Sequence, residues 1–326
     1  MDIIYFGTAD FAVPSLRAIV DAGHRVRCVV SQPDRPAGRG KRVQATAMHA
    51  AADELGLPHV QADDINAPHH LAMMDGAALG VVAAFGQKIG PAVLKAFPHG
   101  CINLHGSLLP KYRGAAPYQW AIIRGERETG VTTFQLNEKW DAGAVWEKAS
   151  LTIGDTETAT ELHDRLAALA GDLILSTLQL IEGGDVEPKV QDASLATRAP
   201  KLKKADGYLD WSLPARELKN WVNGLWSWPG ASADFVSSAS GKVDRVQIAR
   251  ADVIEDGLRA GNTEIGARAG GGVAPGTFLD DGTLQTGAGR LRILEMKPAG
   301  KNLMPFAAFA NGRRLQAGDR LVQVRE

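Results

Sequence analysis

Apolar and polar positions alternate along the first 150 residues in two recurring patterns. Short apolar runs bounded by glycine, proline or polar residues predict β-strands, and apolar residues at helical spacing predict helices between them. The predicted strands span residues 3–6, 26–31, 102–105 and 131–136, and residues 77–85 contain another. The predicted helices span residues 11–22, 44–55, 93–97 and 117–124. Strands that alternate with helices indicate an α/β domain with a mostly parallel sheet and helices on both faces.

The pattern changes after a long helix predicted over residues 160–181, in which leucines recur at helical spacing. Short strand-like runs broken by glycines then predict a small β-barrel. They span residues 246–250, 276–279, 283–286 and 291–295. We therefore predict a catalytic domain over residues 1–184, a polar linker over 185–206 and a barrel domain over 207–326, with a mobile glycine-rich loop at 257–272.

Composition adds few constraints to this division. A chain of 326 residues suits two domains, and a net charge of -1 means that any surface for nucleic acid has to be local. Cys28 and Cys101 lie in apolar runs, which predicts buried thiols in a reducing cytosol rather than a disulfide. The start of the chain lacks the basic stretch of a secretory signal, and no apolar run approaches about 18 residues, so we expect a cytoplasmic protein without a membrane span.

Candidate chemistry lies at the end of the predicted strand 102–105. Asn103 and His105 are two residues apart and point to one face, just before a turn that Gly106 and Pro110 impose. Ligands of open α/β sheets bind at the carboxyl ends of strands. An amide donor beside an imidazole suggests acyl transfer, with one group for an oxyanion and one for a proton. Asp141 follows another strand, where it could cap a turn or hold the tautomer of the imidazole.

A long basic loop follows the strand 26–31. Arg35, Arg39, Lys41 and Arg42 crowd into eight residues, so the loop could either be solvated or bind phosphates. By contrast, residues 7–10 open a helix without a dinucleotide-binding fingerprint or a P-loop, which disfavours a nucleotide-linked oxidoreductase. Histidine spacing predicts no metal site.

Several segments together resemble the signature of folate-dependent formyltransferases. They are NLHGSLLP at 103–110, RGAAP at 113–117 and DAG at 141–143. Residues 6–12, 32–41, 297–301 and 311–314 are similar to the methionyl-tRNA formyltransferases within that family. The resemblance covers nearly the whole chain and is strongest in residues 1–150.

The resemblance implies a Rossmann-like formyltransferase domain and a C-terminal barrel with an OB-like topology. It implies transfer of a formyl group from 10-formyltetrahydrofolate, without a metal, to the α-amino group of methionyl-initiator tRNA for translation initiation. Carried over by motif, the catalytic residues are Asn103, His105 and Asp141. The residues implied for the folate site are Phe85, Gly86, Gln87, Ser107, Leu108, Leu109, Pro110 and Trp140. Lys139 and Trp140 replace the small and apolar residues that usually precede this aspartate.

Local charge predicts where the tRNA would bind. From residue 290 onward, eight arginines and lysines face three aspartates and glutamates, a local charge of +5. With the basic loop, they form the expected tRNA surface of a monomer: Arg35, Arg39, Lys41, Arg42, Lys301, Arg313 and Arg314. A sugar-nucleotide N-formyltransferase or a formyltetrahydrofolate hydrolase could use the same Asn, His and Asp residues, and a non-catalytic RNA-binding protein is a third alternative.

Overall fold

The computed structural model describes residues 1–37, 42–254 and 272–324, with only the main chain at Ala37 and Arg42. Two compact units divide the chain. The first contains Met1–Pro117, Glu128–Thr152 and His163–Pro200, and the second contains Tyr118–Arg127, Ile153–Leu162 and Lys201–Glu326. The predicted mobile loop at 257–272 falls almost wholly outside the described residues.

A seven-stranded sheet forms the centre of the first unit. Its strands are β1 (Asp2–Gly7), β2 (Arg25–Ser31), β5 (His59–Gln61), β6 (Leu79–Ala83), β7 (Cys101–His105), β9 (Glu128–Gln135) and β10 (Val145–Thr152). They are arranged in the order β10-β9-β7-β6-β1-β2-β5. Two short pairs lie beside it, β3 (Arg35–Ala37) with β4 (Arg42–Gln44), and β8 (Arg113–Gly114) with β11 (Arg198–Ala199). The neighbouring strands β5, β2, β1, β6 and β7 all pair in parallel. Strands β9 and β10 are added at the β7 edge by antiparallel pairing. The predicted mostly parallel sheet is therefore confirmed.

Burial explains why these strands were recognisable. β6 is buried at every residue and β1 at all but its first, so both read as continuous apolar runs, as strands covered on both faces do. Four helices begin near the predicted positions: α1 (Val13–Asp21), α2 (Ala47–Glu54), α3 (Pro91–Leu94) and α4 (Pro117–Ile123), of which α4 belongs to the second unit from Tyr118 onward. Helix α2 starts later than predicted because residues 42–44 pair with β3, and Thr46 caps the helix by accepting a hydrogen bond from the His49 amide.

The long helix α5 (Ala159–Gly183) is the predicted helix 160–181. Leu162, Leu166 and Leu178 are fully buried, as the helical leucine spacing requires. By length and composition the helix could cross a membrane, with a mean hydropathy of 1.4 over its most apolar window, yet 50% of that window is buried inside the protein. Such burial is typical of a core helix.

The second unit carries an antiparallel sheet. The strands are β12 (Ala231–Val236), β13 (Val243–Ile254), β14 (Leu284–Gln285), β15 (Arg290–Pro298), β16 (Met304–Pro305) and β17 (Arg320–Gln323). Their order is β14-β15-β13-β12-β17, and β16 pairs with β15. This curled sheet is the predicted barrel-type domain. Two helices were missed in the sequence, α6 (Ala215–Leu225) and α7 (Phe306–Arg313). The predicted strand 276–279 forms only isolated bridges, at Thr277 and Phe278.

Candidate active site

Strand β7 carries the candidate amide and imidazole to its carboxyl end. It lies between β6 and β9, with Asn103 opposite Val82 and Phe134. Ile102 and Leu104 are buried on the other face, as the alternation predicted. Asn103 is half-buried, and its side-chain amide has no hydrogen-bond partner among the residues that the structure describes. This donor is therefore available to a bound group.

The imidazole of His105 is buried, with 6% of the residue exposed. Its Nε2 lies 2.9 Å from the main-chain oxygen of Tyr112. A carbonyl oxygen only accepts, so Nε2 carries the hydrogen and Nδ1 is the proton-accepting nitrogen of the neutral ring. The sequence left open whether Asp141 caps a turn or holds the imidazole tautomer, and in the structure the Tyr112 carbonyl accepts the hydrogen of Nε2.

Asp141 nevertheless meets His105. Its Oδ2 lies 3.9 Å from Nδ1 of His105 and accepts a hydrogen bond of 2.8 Å from the Gly114 amide. The first distance suits an ion pair and is too long for a hydrogen bond. Asp141 is 8% exposed and has a φ of 48°, in the left-handed region that few residues other than glycine adopt. The structure therefore brings a buried carboxylate to the nitrogen that would gain a proton.

The Ser107–Pro110 turn is held from within. Ser107 is fully buried, and its Oγ donates to the Lys111 oxygen at 2.7 Å. Thr132 Oγ1 donates to the Ser107 oxygen at 2.7 Å and accepts from the Leu109 amide at 3.1 Å. Leu109 is buried against Phe134. Ser107 and Leu109 thus shape the turn, while Leu108 and Pro110 remain half-buried and keep surface for contact.

Two of the three predicted folate residues around Phe85 have side chains that already contact other parts of the protein. The Phe85 ring is 2% exposed and packs edge-on against Phe6. The main-chain oxygen of Phe85 accepts hydrogen bonds from Thr8 Oγ1 at 2.9 Å and Gln32 Nε2 at 3.0 Å. The Gln87 side chain donates to the Ala62 oxygen at 2.6 Å and accepts from the Ile65 amide at 2.9 Å. Gly86 is exposed with a φ of 79°. The side chains of Phe85 and Gln87 therefore brace this loop instead of presenting free groups.

Trp140 contrasts with these braced residues. Its side chain directly precedes Asp141 and is 66% exposed, although large apolar side chains are normally covered. The indole of the residue before Asp141 is therefore an open aromatic surface.

Sequence reasoning missed the residues that hold the site together. Tyr112, Gly114 and the main chain of residues 141–143 fix the pair, and Gln191 and Thr197 from the predicted linker bind these segments. A two-residue pairing of β8 with β11 joins positions 85 apart. No periodic pattern could have revealed it, and the only sequence signal was the glycine at 114.

The predicted tRNA residues lie in both units. Arg35 is exposed, and its Nη2 donates to Gln32 Oε1 at 2.9 Å. Arg39, Lys41 and the side chain of Arg42 lie outside the described residues.

The remaining three belong to the second unit, and all are exposed. Lys301 lies in the turn between β15 and β16, and Arg314 follows α7 with a φ of 53°. Arg313 is not a free cation, because its Nη2 lies 3.2 Å from Oδ2 of Asp244.

Cysteine and metal chemistry are peripheral to this site. Both cysteines are free and buried, and burial raises the pKa of the Cys28 thiol to about 11 and that of Cys101 to about 12. Within residues 1–37, 42–254 and 272–324, no group of three or more His, Cys, Asp and Glu side chains could hold a metal ion.

Two family models match the chain. The model described as formyl transferase matches residues 1–178, and the model described as formyl transferase, C-terminal domain, matches residues 201–314. Among curated relatives, a methionyl-tRNA formyltransferase of Heliobacterium modesticaldum is 42% identical over 98% of this chain and 99% of its own length. One from Solibacter usitatus is 40% identical over 98% of each chain.

Solved structures share the fold at low identity. HypX from Aquifex aeolicus in complex with tetrahydrofolic acid is 20% identical, with a TM-score of 0.58 over 94% of this chain and 46% of its own. The chain therefore spans about half the length of that protein. An N-formyltransferase from Helicobacter canadensis, in complex with folinic acid and dTDP-3-aminofucose, is 14% identical, with a TM-score of 0.60 over 89% of this chain and 98% of its own.

Proposed function

The chain belongs to the formyl transferase family, as a relative of the methionyl-tRNA formyltransferases, and on that premise we propose that it transfers the formyl group of 10-formyltetrahydrofolate to the α-amino group of methionyl-initiator tRNA. The activity follows from full-length relatives of one name. The observation that carries the residue assignment is the meeting, at the end of β7, of an available amide with a buried His–Asp pair.

Asn103, His105 and Asp141 each have one role in the proposed reaction. A free α-amine has a pKa of roughly 7.7–8.0, so a neutral fraction exists near pH 7 that can attack the formyl carbon. Asn103 donates to the formyl oxygen as negative charge develops there. His105 accepts the amine proton at Nδ1, and Asp141 stabilises the charged ring. The bond from the formyl carbon to the folate nitrogen then breaks, and that nitrogen takes up the proton.

Folate binding is proposed at the surfaces that remain accessible. Leu108 and Pro110 of the turn, Gly86 and the open indole of Trp140 are the candidates for direct contact. Phe85, Gln87, Ser107 and Leu109 shape these surfaces from behind, as their burial and hydrogen bonds indicate.

The finer organisation is also a proposal. We propose a catalytic domain over 1–184, a linker over 185–206 and a tRNA-contacting domain over 207–326. We also propose that the protein is a cytoplasmic monomer. The tRNA contacts are proposed at Arg35, Arg39, Lys41, Arg42, Lys301, Arg313 and Arg314. Their support is the concentration of positive charge in two short segments of a chain whose net charge is -1.

The decisive test is formyl transfer from 10-formyltetrahydrofolate to charged initiator methionyl-tRNA, with charged elongator methionyl-tRNA and an amino-sugar nucleotide as alternative acceptors. We expect transfer to the initiator tRNA, and transfer to the sugar alone would refute the proposal. Asn103→Ala should lower kcat about 10²–10³-fold, the usual cost of one oxyanion donor. His105→Ala and Asp141→Ala should lower kcat while the proteins stay folded, and wild-type turnover in any variant would remove that residue from the mechanism.

A further inference from the structure

A glutamine of the predicted linker connects the two loops around the His105–Asp141 pair. Nε2 of Gln191 donates to the main-chain oxygens of Asp141 at 3.0 Å and Gly143 at 2.7 Å. Its Oε1 accepts from Nε of Arg113 at 3.2 Å and from Nη2 of Arg113 at 2.7 Å. One half-buried side chain thus uses both of its amide hydrogens and its oxygen between two loops.

We propose that Gln191 is a positioning residue of the transfer reaction, one that holds the Asp141 carboxylate in place against His105. The inference rests on the proposed function. Gln191 bonds to the main chain of the Asp141 loop and to Arg113, so it acts through Asp141 instead of touching the reacting atoms.

A hold on Asp141 would favour one conformation of its backbone. Its φ of 48° lies in the left-handed region, which costs free energy for a residue with a side chain, although less for aspartate than for most others. The loop is also closely packed, because a Cβ on Gly143 would lie 1.7 Å from the Gln135 oxygen. Gln191 donates hydrogen bonds to the main-chain oxygens of Asp141 and Gly143, and these bonds resist a change in the backbone conformation of this loop.

The Oε1 atom of Gln191 binds the loop of residues 112–114, which contacts His105 and Asp141 directly. Arg113 lies between Tyr112, whose oxygen binds His105, and Gly114, whose amide binds Asp141. The same loop is fastened by Thr197, whose Oγ1 accepts from the Tyr112 amide at 2.8 Å and whose oxygen accepts from the Arg113 amide at 2.9 Å. Gln191 therefore ties the carboxylate and its hydrogen-bond donor into one unit.

Two substitutions separate the halves of this connection. Gln191→Leu removes both, whereas Gln191→Glu keeps the acceptor for Arg113 and loses the donor to the two carbonyls. A displacement of about 1 Å at a reacting group can cost 10²-fold in rate. We expect kcat to fall about 10–10²-fold in both variants, with KM for tRNA nearly unchanged. The lost hydrogen bonds should also lower the melting temperature of both variants. The control is Val190→Ala, at a neighbour that is 89% exposed, and it should behave as wild type.

The background variant Asp141→Asn distinguishes positioning from a general structural role. If Gln191 acts through Asp141, Gln191→Leu should cost little more in that background, because coupled residues are non-additive. Single-turnover assays at high enzyme concentration measure the residual rates. An equal fold-loss in both backgrounds, or wild-type kcat in Gln191→Leu and Gln191→Glu, overturns the proposal.

A readout without substrate keeps this inference separate from the proposed function. The 15N chemical shifts of the His105 imidazole report the nearby carboxylate. They should change in Gln191→Leu and stay unchanged in Val190→Ala. If the wild-type protein formylates no tRNA but the His105 shifts change in Gln191→Leu, the proposed function is refuted and the positioning role stands. If the wild-type protein is active but the His105 shifts are unchanged in Gln191→Leu, the positioning role is refuted.

Discussion

His163 lies between two carboxylates at the surface of the first unit. Its Nε2 is 3.3 Å from Asp10 Oδ1, and its Nδ1 is 2.9 Å from Asp164 Oδ1. The hydrogen bond to Asp10 holds the pKa of His163 above its usual value, against a burial effect that lowers it, and the same bond lowers the pKa of Asp10. At the residue scale, this pair makes stability depend on pH.

The sign follows from the two shifts. Because the pKa of His163 is raised in the folded state, it stabilises the fold fully below the unfolded-state pKa of about 6.5, and this stabilisation is lost as pH rises through the folded-state pKa. The lowered pKa of Asp10 stabilises the fold above the unfolded-state pKa of about 3.9. His163→Gln should therefore reduce the free energy of unfolding more at pH 5.5 than at pH 8.5. The difference should be below about 1 kcal/mol, because the Asp10 side chain is 77% exposed. Urea unfolding at both pH values measures it, and an equal loss at both would contradict the assignment.

At the scale of elements, the shortest strands matter most for the site. β8 and β11 have two residues each, yet β8 supplies the amide that binds Asp141. Gly114 has a φ of 130°, and a Cβ there would lie 2.4 Å from the Ala199 oxygen. Only glycine fits this approach of two main chains.

Gly114→Ala should therefore displace β8 and lower kcat for formyl transfer at least about tenfold, with a destabilisation of about 1–3 kcal/mol from strain. Gly23→Ala is the matched control, because Gly23 also has a positive φ of 82° but nothing within 4 Å of a Cβ. It should lose stability and retain its kcat. Melting curves and steady-state kinetics separate the two effects, and similar kcat values in both variants would show that β8 does not position the site.

Elements with a strong local pattern could be predicted, and those set by distant pairing could not. Buried runs such as β6 and the leucine spacing of α5 carry their own signal. Asn103 and His105 were found because strand alternation fixes their common face. The hold on His105 depends instead on the oxygen of Tyr112, whose φ is 62°, and a backbone turned in that way leaves no mark in the pattern of apolar residues. Helix α6 was missed although Leu218, Val222 and Leu225 are buried at helical spacing.

Across the whole molecule, charge is balanced in sum and uneven in place. The net charge is -1, yet residues from 290 onward carry +5. Some of these cations are already paired, such as Arg290 with Asp281 at 2.8 Å and Arg313 with Asp244 at 3.2 Å. Lys301 and Arg314 are exposed without an ion pair among the described residues, so they are the better candidates for phosphate contacts.

Salt dependence tests these contacts. The logarithm of tRNA affinity should fall linearly with the logarithm of salt concentration, and Lys301→Gln and Arg314→Gln should each reduce the slope by about 1. Arg25→Gln removes an exposed cation of the first unit, 75% exposed and outside the proposed surface, and should leave the slope unchanged. Titration of tRNA binding from about 50 to 200 mM salt gives the slopes. A salt-independent affinity would exclude a phosphate-binding surface.

The contacts that fix His105 and Asp141 come largely from main-chain atoms: the oxygen of Tyr112 and the amide of Gly114, with Gln191 bound to the oxygens of residues 141 and 143. Main-chain atoms persist when side chains mutate. Evolution can therefore vary outward side chains on the same loop, such as the exposed Ala115, without rebuilding the chemistry beneath them. Directed evolution of this scaffold toward new amine acceptors should accept changes at such positions and reject them at Gly114.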